Sequence, residues 1–146
     1  MLDKGRPVYT IGTAAEILGV HPRTLRLYEE GGLIRPARKR NRRFYSSYDL
    51  QWITCIRYLL HHKGLNQEGL RRLLALIPCW GIRGCSAEAK AQCPARIDRS
   101  MPCWDLARRA DSDGNLCYDC AVYRSAIDFM LTPQEREEAL NYTIAD

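Results

Sequence analysis

The chain has 146 residues, enough for one domain or two small ones, and its composition is that of a soluble globular protein. It has no apolar run long enough to span a bilayer and no apolar signal region at its start, so we expect a cytoplasmic protein. Residues 1–76 hold 14 Lys and Arg with 6 Asp and Glu, a net of +8, whereas residues 77–146 hold 8 with 11, a net of −3. This asymmetry favours a polyanionic partner on one side only, although two solvated surfaces of different composition would give the same charges.

The first predicted helix is short and lies near the N-terminus. Thr10 can cap a helix that runs to about Leu18, and Thr13 with Glu16 offers a second capping box slightly later. Gly19 permits the left-handed backbone that commonly ends a helix. The pattern therefore predicts one helix that stops at a tight turn.

A second helix follows at once. Pro22 suits its first turn, Leu25 and Tyr28 share one face, and Gly31-Gly32 stops it. Two short helices around a glycine turn are typical of a helix-turn-helix, in which the second helix offers polar side chains to the major groove of DNA. The side chains on its other faces are Arg23, Thr24 and Arg26.

The stretch from Pro36 to Tyr45 is predicted to form a two-stranded wing with Asn41 at the turn tip. Its guanidinium and ammonium groups can reach phosphates, and Phe44 and Tyr45 can anchor the returning strand. A disordered basic loop is the alternative. The basic residues are Arg38, Lys39, Arg40, Arg42 and Arg43.

Two further helices are predicted before the composition changes. Ser46 to Asp49 is a capping box that opens a third helix to about His62, and Asn66 caps a fourth. Cys55 falls inside the third helix, where we expect a small core residue rather than a ligand. The predicted apolar faces comprise Leu50, Ile53, Ile56 and Leu60 in the third helix, and Leu70, Leu73, Leu74 and Ile77 in the fourth.

Residues 8–77 resemble the winged-helix domain of the MerR family, most closely its heat-shock-repressor-like branch. The resemblance implies that Arg23, Thr24, Arg26 and Tyr28 face DNA from the second helix, and that Arg42, Arg43 and Tyr45 do so from the wing and its return. The residues that carry it are Thr10-Ile11-Gly12, Ala14-Ala15, Gly19-Val20, Thr24-Leu25-Arg26, Tyr28-Glu29, Gly32-Leu33-Ile34, Pro36, Arg43-Phe44-Tyr45 and Asp49. The similarity to the heat-shock-repressor-like branch lies in His21-Pro22-Arg23-Thr24-Leu25-Arg26 and Gly64-Leu65-Asn66-Gln67-Glu68-Gly69.

The resemblance implies a transcriptional regulator, not an enzyme, with double-stranded DNA as its partner and RNA polymerase as a candidate second partner. Family members typically continue from the fourth helix into a long dimerisation helix, but Pro78 to Gly81 interrupts that pattern and no heptads follow. We still expect a homodimer, because such regulators read two-fold sites.

Six cysteines follow Pro78 within 42 residues, and only the last two form a Cys-x-x-Cys pair. Disulfides suit secreted domains rather than a DNA-binding protein of the reducing cytosol. Tetrahedral zinc usually draws on two close ligand pairs or on histidines, and no histidine follows His62. An iron–sulfur cluster tolerates irregular spacing, with Trp80, Trp104 and Tyr123 as candidate shields. The candidate ligands are Cys79, Cys85, Cys93, Cys103, Cys117 and Cys120.

Three interpretations of these cysteines stay open. They could hold an iron–sulfur cluster, preferably of the 4Fe-4S type, or zinc or another thiophilic metal, or act only as redox switches and core residues. Their pattern also resembles a small module with two Cys-Trp pairs that occurs in bacterial sensory proteins. Three functions therefore stay open: a sensor, a constitutive DNA-binding protein with a structural zinc site, and a cluster-bearing redox protein.

The predicted architecture is mainly α, with a winged helix-turn-helix at 1–77, a cysteine-rich metal or cluster module at 78–124 and a helical tail at 125–146. Within the tail, residues 121–130 have helical spacing, and Thr132 to Glu135 is a capping box that opens a last helix to about Tyr142. We expect both helices to pack on the cysteine-rich module or on a partner chain.

Overall fold

The protein is mainly α-helical with one small sheet, and the computed structural model describes residues 6–77, 102, 123 and 125–141. In chain order the elements are β1 (Tyr9–Thr10), α1 (Ile11–Leu18), α2 (Pro22–Glu30), β2 (Ala37–Lys39), β3 (Arg42–Tyr45), α3 (Ser47–His61), α4 (Gln67–Leu74), α5 (Ala126–Met130) and α6 (Pro133–Leu140). The predicted fold class is confirmed for the described residues, which form a winged helix-turn-helix followed by two short helices.

The helix boundaries follow the local signals. The Thr10 hydroxyl accepts from the Thr13 amide, so the cap lies at Thr10 rather than at Thr13. Gly19 has φ 68°, and the amides of Gly19 and Val20 donate to Glu16 and Ala15, which closes α1 in a Schellman motif. The Thr10 hydroxyl and Gly19 therefore set where α1 begins and ends.

The wing is an antiparallel hairpin, and a third strand extends its sheet. The order is β1-β3-β2, with Arg38 opposite Arg43 and Tyr9 opposite Tyr45. Arg40 and Asn41 both have positive φ, as a two-residue hairpin turn of type I′ requires. The sequence predicted the two wing strands but not β1, because a two-residue strand has no alternation to detect.

The hydrophobic core surrounds α3 and contains side chains from the other helices and from β3. Trp52 is fully buried, and its indole N–H donates to the Leu33 carbonyl at 2.9 Å. Ser46 and Asp49 form the predicted capping box at the start of α3. Cys55 is buried as expected, and burial raises the pKa of its thiol to about 11. In α4 the apolar face is narrower than predicted, because Leu73 is exposed.

The tail packs on α3 of the same chain, a surface that we did not predict, and its packing on the cysteine-rich module or on a partner stays a prediction. Apolar side chains of the tail join the core that α3 organises, and the Tyr58 hydroxyl donates to Glu138 of α6 at 3.0 Å. Thr132 and Glu135 form the predicted capping box of α6. The tail residues in this core are Ala126, Ile127, Leu131 and Ala139.

The segment that holds the six cysteines lies outside the described residues, except Pro102 and Tyr123. Tyr123 was expected to shield a cluster, but its side chain is fully buried in the core that α3 organises. Of the predicted helix at 121–130, the structure describes α5 as beginning at Ala126.

Candidate nucleic-acid interface

Helix α2 presents a cationic outer face. The His21 imidazole Nδ1 accepts from the Arg23 amide at 3.0 Å and caps the helix, a role that the sequence analysis missed, and Pro22 occupies the first turn as predicted. Leu25 is fully buried, which fixes the rotation of the helix. That rotation leaves Arg23 and Arg26 exposed on the opposite side, with Thr24 half-buried beside them.

The wing tip is the second cationic surface. Lys39, Arg40 and Arg42 are exposed around the Arg40-Asn41 turn. The Lys39 ammonium lies 5.5 Å from the centre of the Phe44 ring, which favours one orientation of a long side chain. Together with α2, the tip supplies five exposed positive charges, which suits a polyanion.

The remaining two wing arginines are partly buried and pair with one buried acid. Glu29, near the C-terminal end of α2, accepts from Arg38 Nη2 at 2.7 Å and from Arg43 Nε at 2.5 Å. Burial acts to raise the pKa of Glu29, but hydrogen bonds and charges from Arg43 and Arg38 outweigh it and hold the pKa below its usual value. We call Glu29, Arg38 and Arg43 the α2–wing clamp.

A second polar network is buried between the start of α3 and the segment before β2. The Tyr123 hydroxyl donates to Asp49 Oδ1 at 2.8 Å and accepts from the Arg35 amide at 3.1 Å. The Tyr48 hydroxyl donates to the Tyr123 carbonyl at 2.8 Å, and the two rings meet edge to face. Desolvation and the Asp49 charge raise the pKa of Tyr123, so its hydroxyl keeps the proton that it donates. We call Tyr123, Asp49 and the Arg35 amide the Tyr123 anchor.

The structure places the predicted DNA-facing residues in the core, in the α2–wing clamp or at the surface, with Thr24 half-buried on α2. Tyr28 and Tyr45 lie in the core with exposed fractions of 4% and 0%. The Tyr45 hydroxyl is also buried, so this side chain offers no surface to DNA and its expected role is corrected to packing. Arg38 and Arg43 belong to the clamp, whereas the residues at the surface are Arg23, Arg26, Lys39, Arg40 and Arg42.

The sequence analysis missed the partners that organise these residues. Glu29 is an acid at a helix end beside a basic hairpin, and this charge pattern could have indicated an ion pair. No comparable signal pointed to the anchor, because 88 residues separate Tyr123 from Arg35.

The candidate metal ligands at 79, 85, 93, 103, 117 and 120 lie outside the described residues. Among the described residues, no three His, Cys, Asp or Glu side chains are grouped so as to hold a metal ion. None of the helices described has the length and apolar character that a membrane crossing requires.

Residues 9–77 match the family model for MerR HTH family regulatory proteins. This segment is a MerR-type helix-turn-helix domain. The match ends at Ile77, so the MerR-type domain includes both cationic surfaces and the clamp but not Tyr123, α5 or α6.

The relatives are similar to about half of this chain. The HspR protein of Streptomyces coelicolor is 38% identical over 76 residues, which cover 51% of this chain and 50% of HspR. The HTH-type transcriptional regulator GlnR of Bacillus anthracis, and that of Bacillus cereus, are 34% identical over 74 residues, which cover 50% of this chain and 57% of GlnR. The matched segment thus spans about half the length of the curated relatives. No solved structure gives a significant match.

Proposed function

We propose that this protein is a DNA-binding transcriptional regulator of the MerR type that acts as a homodimer on two-fold operator sites. The observation that carries the proposal is the pair of exposed cationic surfaces, on α2 and at the wing tip, of a MerR-type domain. Phosphate contacts from the wing tip give salt-dependent affinity, while Arg23 and Arg26 read base edges in the major groove. The GlnR relatives are named transcriptional regulators, which supports a role other than catalysis.

The test is binding of the full-length protein to duplexes enriched from a random-sequence library. The substitution Arg26→Ala should weaken binding to the enriched duplex about tenfold and relax its sequence preference. The matched control is Arg72→Ala, which removes an exposed arginine of α4 that pairs with Glu68. Failure to enrich any duplex, or equal effects of the two substitutions, would contradict the proposal. Sedimentation of the complex tests the dimer.

The finer part of the proposal concerns the cysteines. We propose that the cysteine-rich segment senses redox state or metal through an iron–sulfur cluster, preferably 4Fe-4S, or a bound metal such as zinc. Six thiols in 42 residues support a metal centre. Coupling is supported by the two ends of the segment, because Ile77 on one side and Tyr123 on the other are both buried in the core that includes the MerR-type domain. A change between these points can bias how the domain sits on DNA.

Metal and acid-labile sulfide analysis of protein purified without oxygen tests this part. Iron and sulfide in equal amounts, with DNA affinity that changes on oxidation, would support a cluster-based sensor. Zinc without sulfide, and an affinity that oxidant leaves unchanged, would support a constitutive DNA-binding protein with a structural zinc site. Absence of any metal would overturn the ligand proposal.

A further inference from the structure

The α2–wing clamp joins the two cationic surfaces through one buried acid. Glu29 is only 2% exposed, and its two carboxylate oxygens bind different arginines. Arg38 lies on β2 and Arg43 on β3, and the two residues are opposite each other in the hairpin. One carboxylate near the end of α2 therefore binds both strands of the wing at one pair of opposite residues.

A buried carboxylate needs its cationic partners, because removal from water without them is costly. Guanidinium groups suit this task, since they donate several hydrogen bonds in a fixed plane. The side chains of Arg38 and Arg43 are 35% and 24% exposed, whereas Arg42, the neighbour of Arg43 on β3, is exposed to solvent. Adjacent arginines of one strand thus have different surroundings, one bound to Glu29 and one facing solvent.

We propose that Glu29 is a positioning residue for DNA binding, which sets the angle of the wing against α2 and keeps Arg38 and Arg43 from phosphate contact. The wing tip then reaches the duplex through Lys39, Arg40 and Arg42 while Arg23 and Arg26 enter the groove. This inference rests on the proposed function. It replaces the expectation that all five basic wing residues contact DNA with a division into two that orient and three that bind.

The first test compares Glu29→Gln with Glu30→Gln on the enriched duplex. Both substitutions remove one negative charge near DNA, and Glu30 is an exposed neighbour on the same helix. Simple electrostatics predicts equal or tighter binding for both. The clamp predicts that Glu29→Gln alone weakens binding about tenfold and lowers the salt slope of log K by about 2 to 3, since each phosphate contact of the tip contributes about 0.9.

A hydroxyl-radical footprint gives a readout that loss of stability alone would not move. Glu29→Gln should lose protection at the flanks of the site that the wing contacts and keep it at the centre that α2 contacts. A Glu29→Gln protein that binds as tightly as Glu30→Gln, with the full footprint, would overturn the inference.

The second test keeps every charge, and so it decides the matter even where Glu29→Gln does not fold. The double substitution Arg38→Lys with Arg43→Lys preserves net charge but removes the planar donors that Glu29 accepts. The double variant should lose protection at the flanks of the site, and its salt slope of log K should fall by about 2 to 3, as for Glu29→Gln. Wild-type affinity and slope would overturn the clamp.

A matched pair on β3 tests the division of roles. Arg42→Gln should lower the salt slope by about 1, which is one phosphate contact. Arg43→Gln breaks the clamp and should lower the slope by more than one contact, up to the fall of about 2 to 3 expected for Glu29→Gln. Equal single-contact losses would overturn the division. Wild-type protein that binds no duplex would instead remove the proposed function, so the two failures are distinguishable.

Discussion

The α2–wing clamp and the Tyr123 anchor both hold separate segments of the chain together, but they do so with different chemistry. The clamp is ionic and partly exposed on its arginine side, and it lies wholly within the MerR-type domain. The anchor is fully buried, joins a phenol to a carboxylate and a backbone amide, and brings in a residue from beyond the family match. The difference indicates that the clamp tunes orientation, whereas the anchor contributes to the stability of the whole core.

The largest effect should come from removing the anchor. Tyr123→Ala is expected to lower the free energy of unfolding by about 3–5 kcal/mol, because a large aromatic leaves a cavity in the core. Tyr123→Phe should cost about 1–3 kcal/mol, since Asp49 loses a hydrogen-bond donor. Urea unfolding measures both, with Phe129→Ala as the control at an exposed aromatic of α5. Equal costs at Tyr123 and Phe129 would mean that the anchor does not join the tail to the core.

A smaller effect should come from removing the charge of Glu29, either by substitution or by protonation at low pH. Glu29→Gln is expected to cost about 2 kcal/mol at neutral pH, since hydrogen bonds to a charged group are lost. The folded-state pKa of Glu29 lies below its ordinary 4.5. The stabilisation from its carboxylate is therefore complete above that value and is lost as the pH falls through the lower folded-state value.

The measurement is the difference in free energy of unfolding between the wild type and Glu29→Gln across this acidic range. The difference should narrow as the pH falls, while that between the wild type and Glu30→Gln stays small throughout. A gap for Glu29→Gln that widens in acid would contradict the sign of the shift and the ionic character of the clamp.

The smallest effect should come from the cap of α6. Thr132→Ala removes the hydroxyl that accepts from the Glu135 amide and should cost about 1 kcal/mol. Glu137→Ala, at an exposed position of the same helix, is the control. A cost at Thr132 that appears in wild type but disappears in a Tyr123→Ala background would mean that the anchor is what couples the tail to global unfolding.

The sequence predicted those features whose signals are local. The hydroxyl of Thr132 with the carboxylate of Glu135, Gly19 after α1 and Pro22 at the start of α2 each act within a few residues, so their patterns are visible in the chain. The cationic surfaces followed in the same way, because helical spacing placed Leu25 inward and hence Arg26 outward.

The remaining features depend on contacts between distant residues. Nothing in the spacing around Tyr123 distinguishes a cluster shield from an anchor, because its partners come from the start of α3 and from the segment before the wing. The packing of the tail on α3 was missed for the same reason, since an amphipathic helix does not reveal which apolar surface covers it. Tyr45 is buried where β3 pairs with β1, and β1 is a strand too short to predict.

The burial of Ile77 and Tyr123 has a consequence for how this protein can change over time. With both ends of residues 78–122 fixed in one core, that stretch is inserted into a folded unit rather than appended to it. The free energy of closing such an insertion rises by only about 0.6 kcal/mol for each doubling of its length. Segments of different length and chemistry could therefore be exchanged at this position while the MerR-type domain keeps its fold.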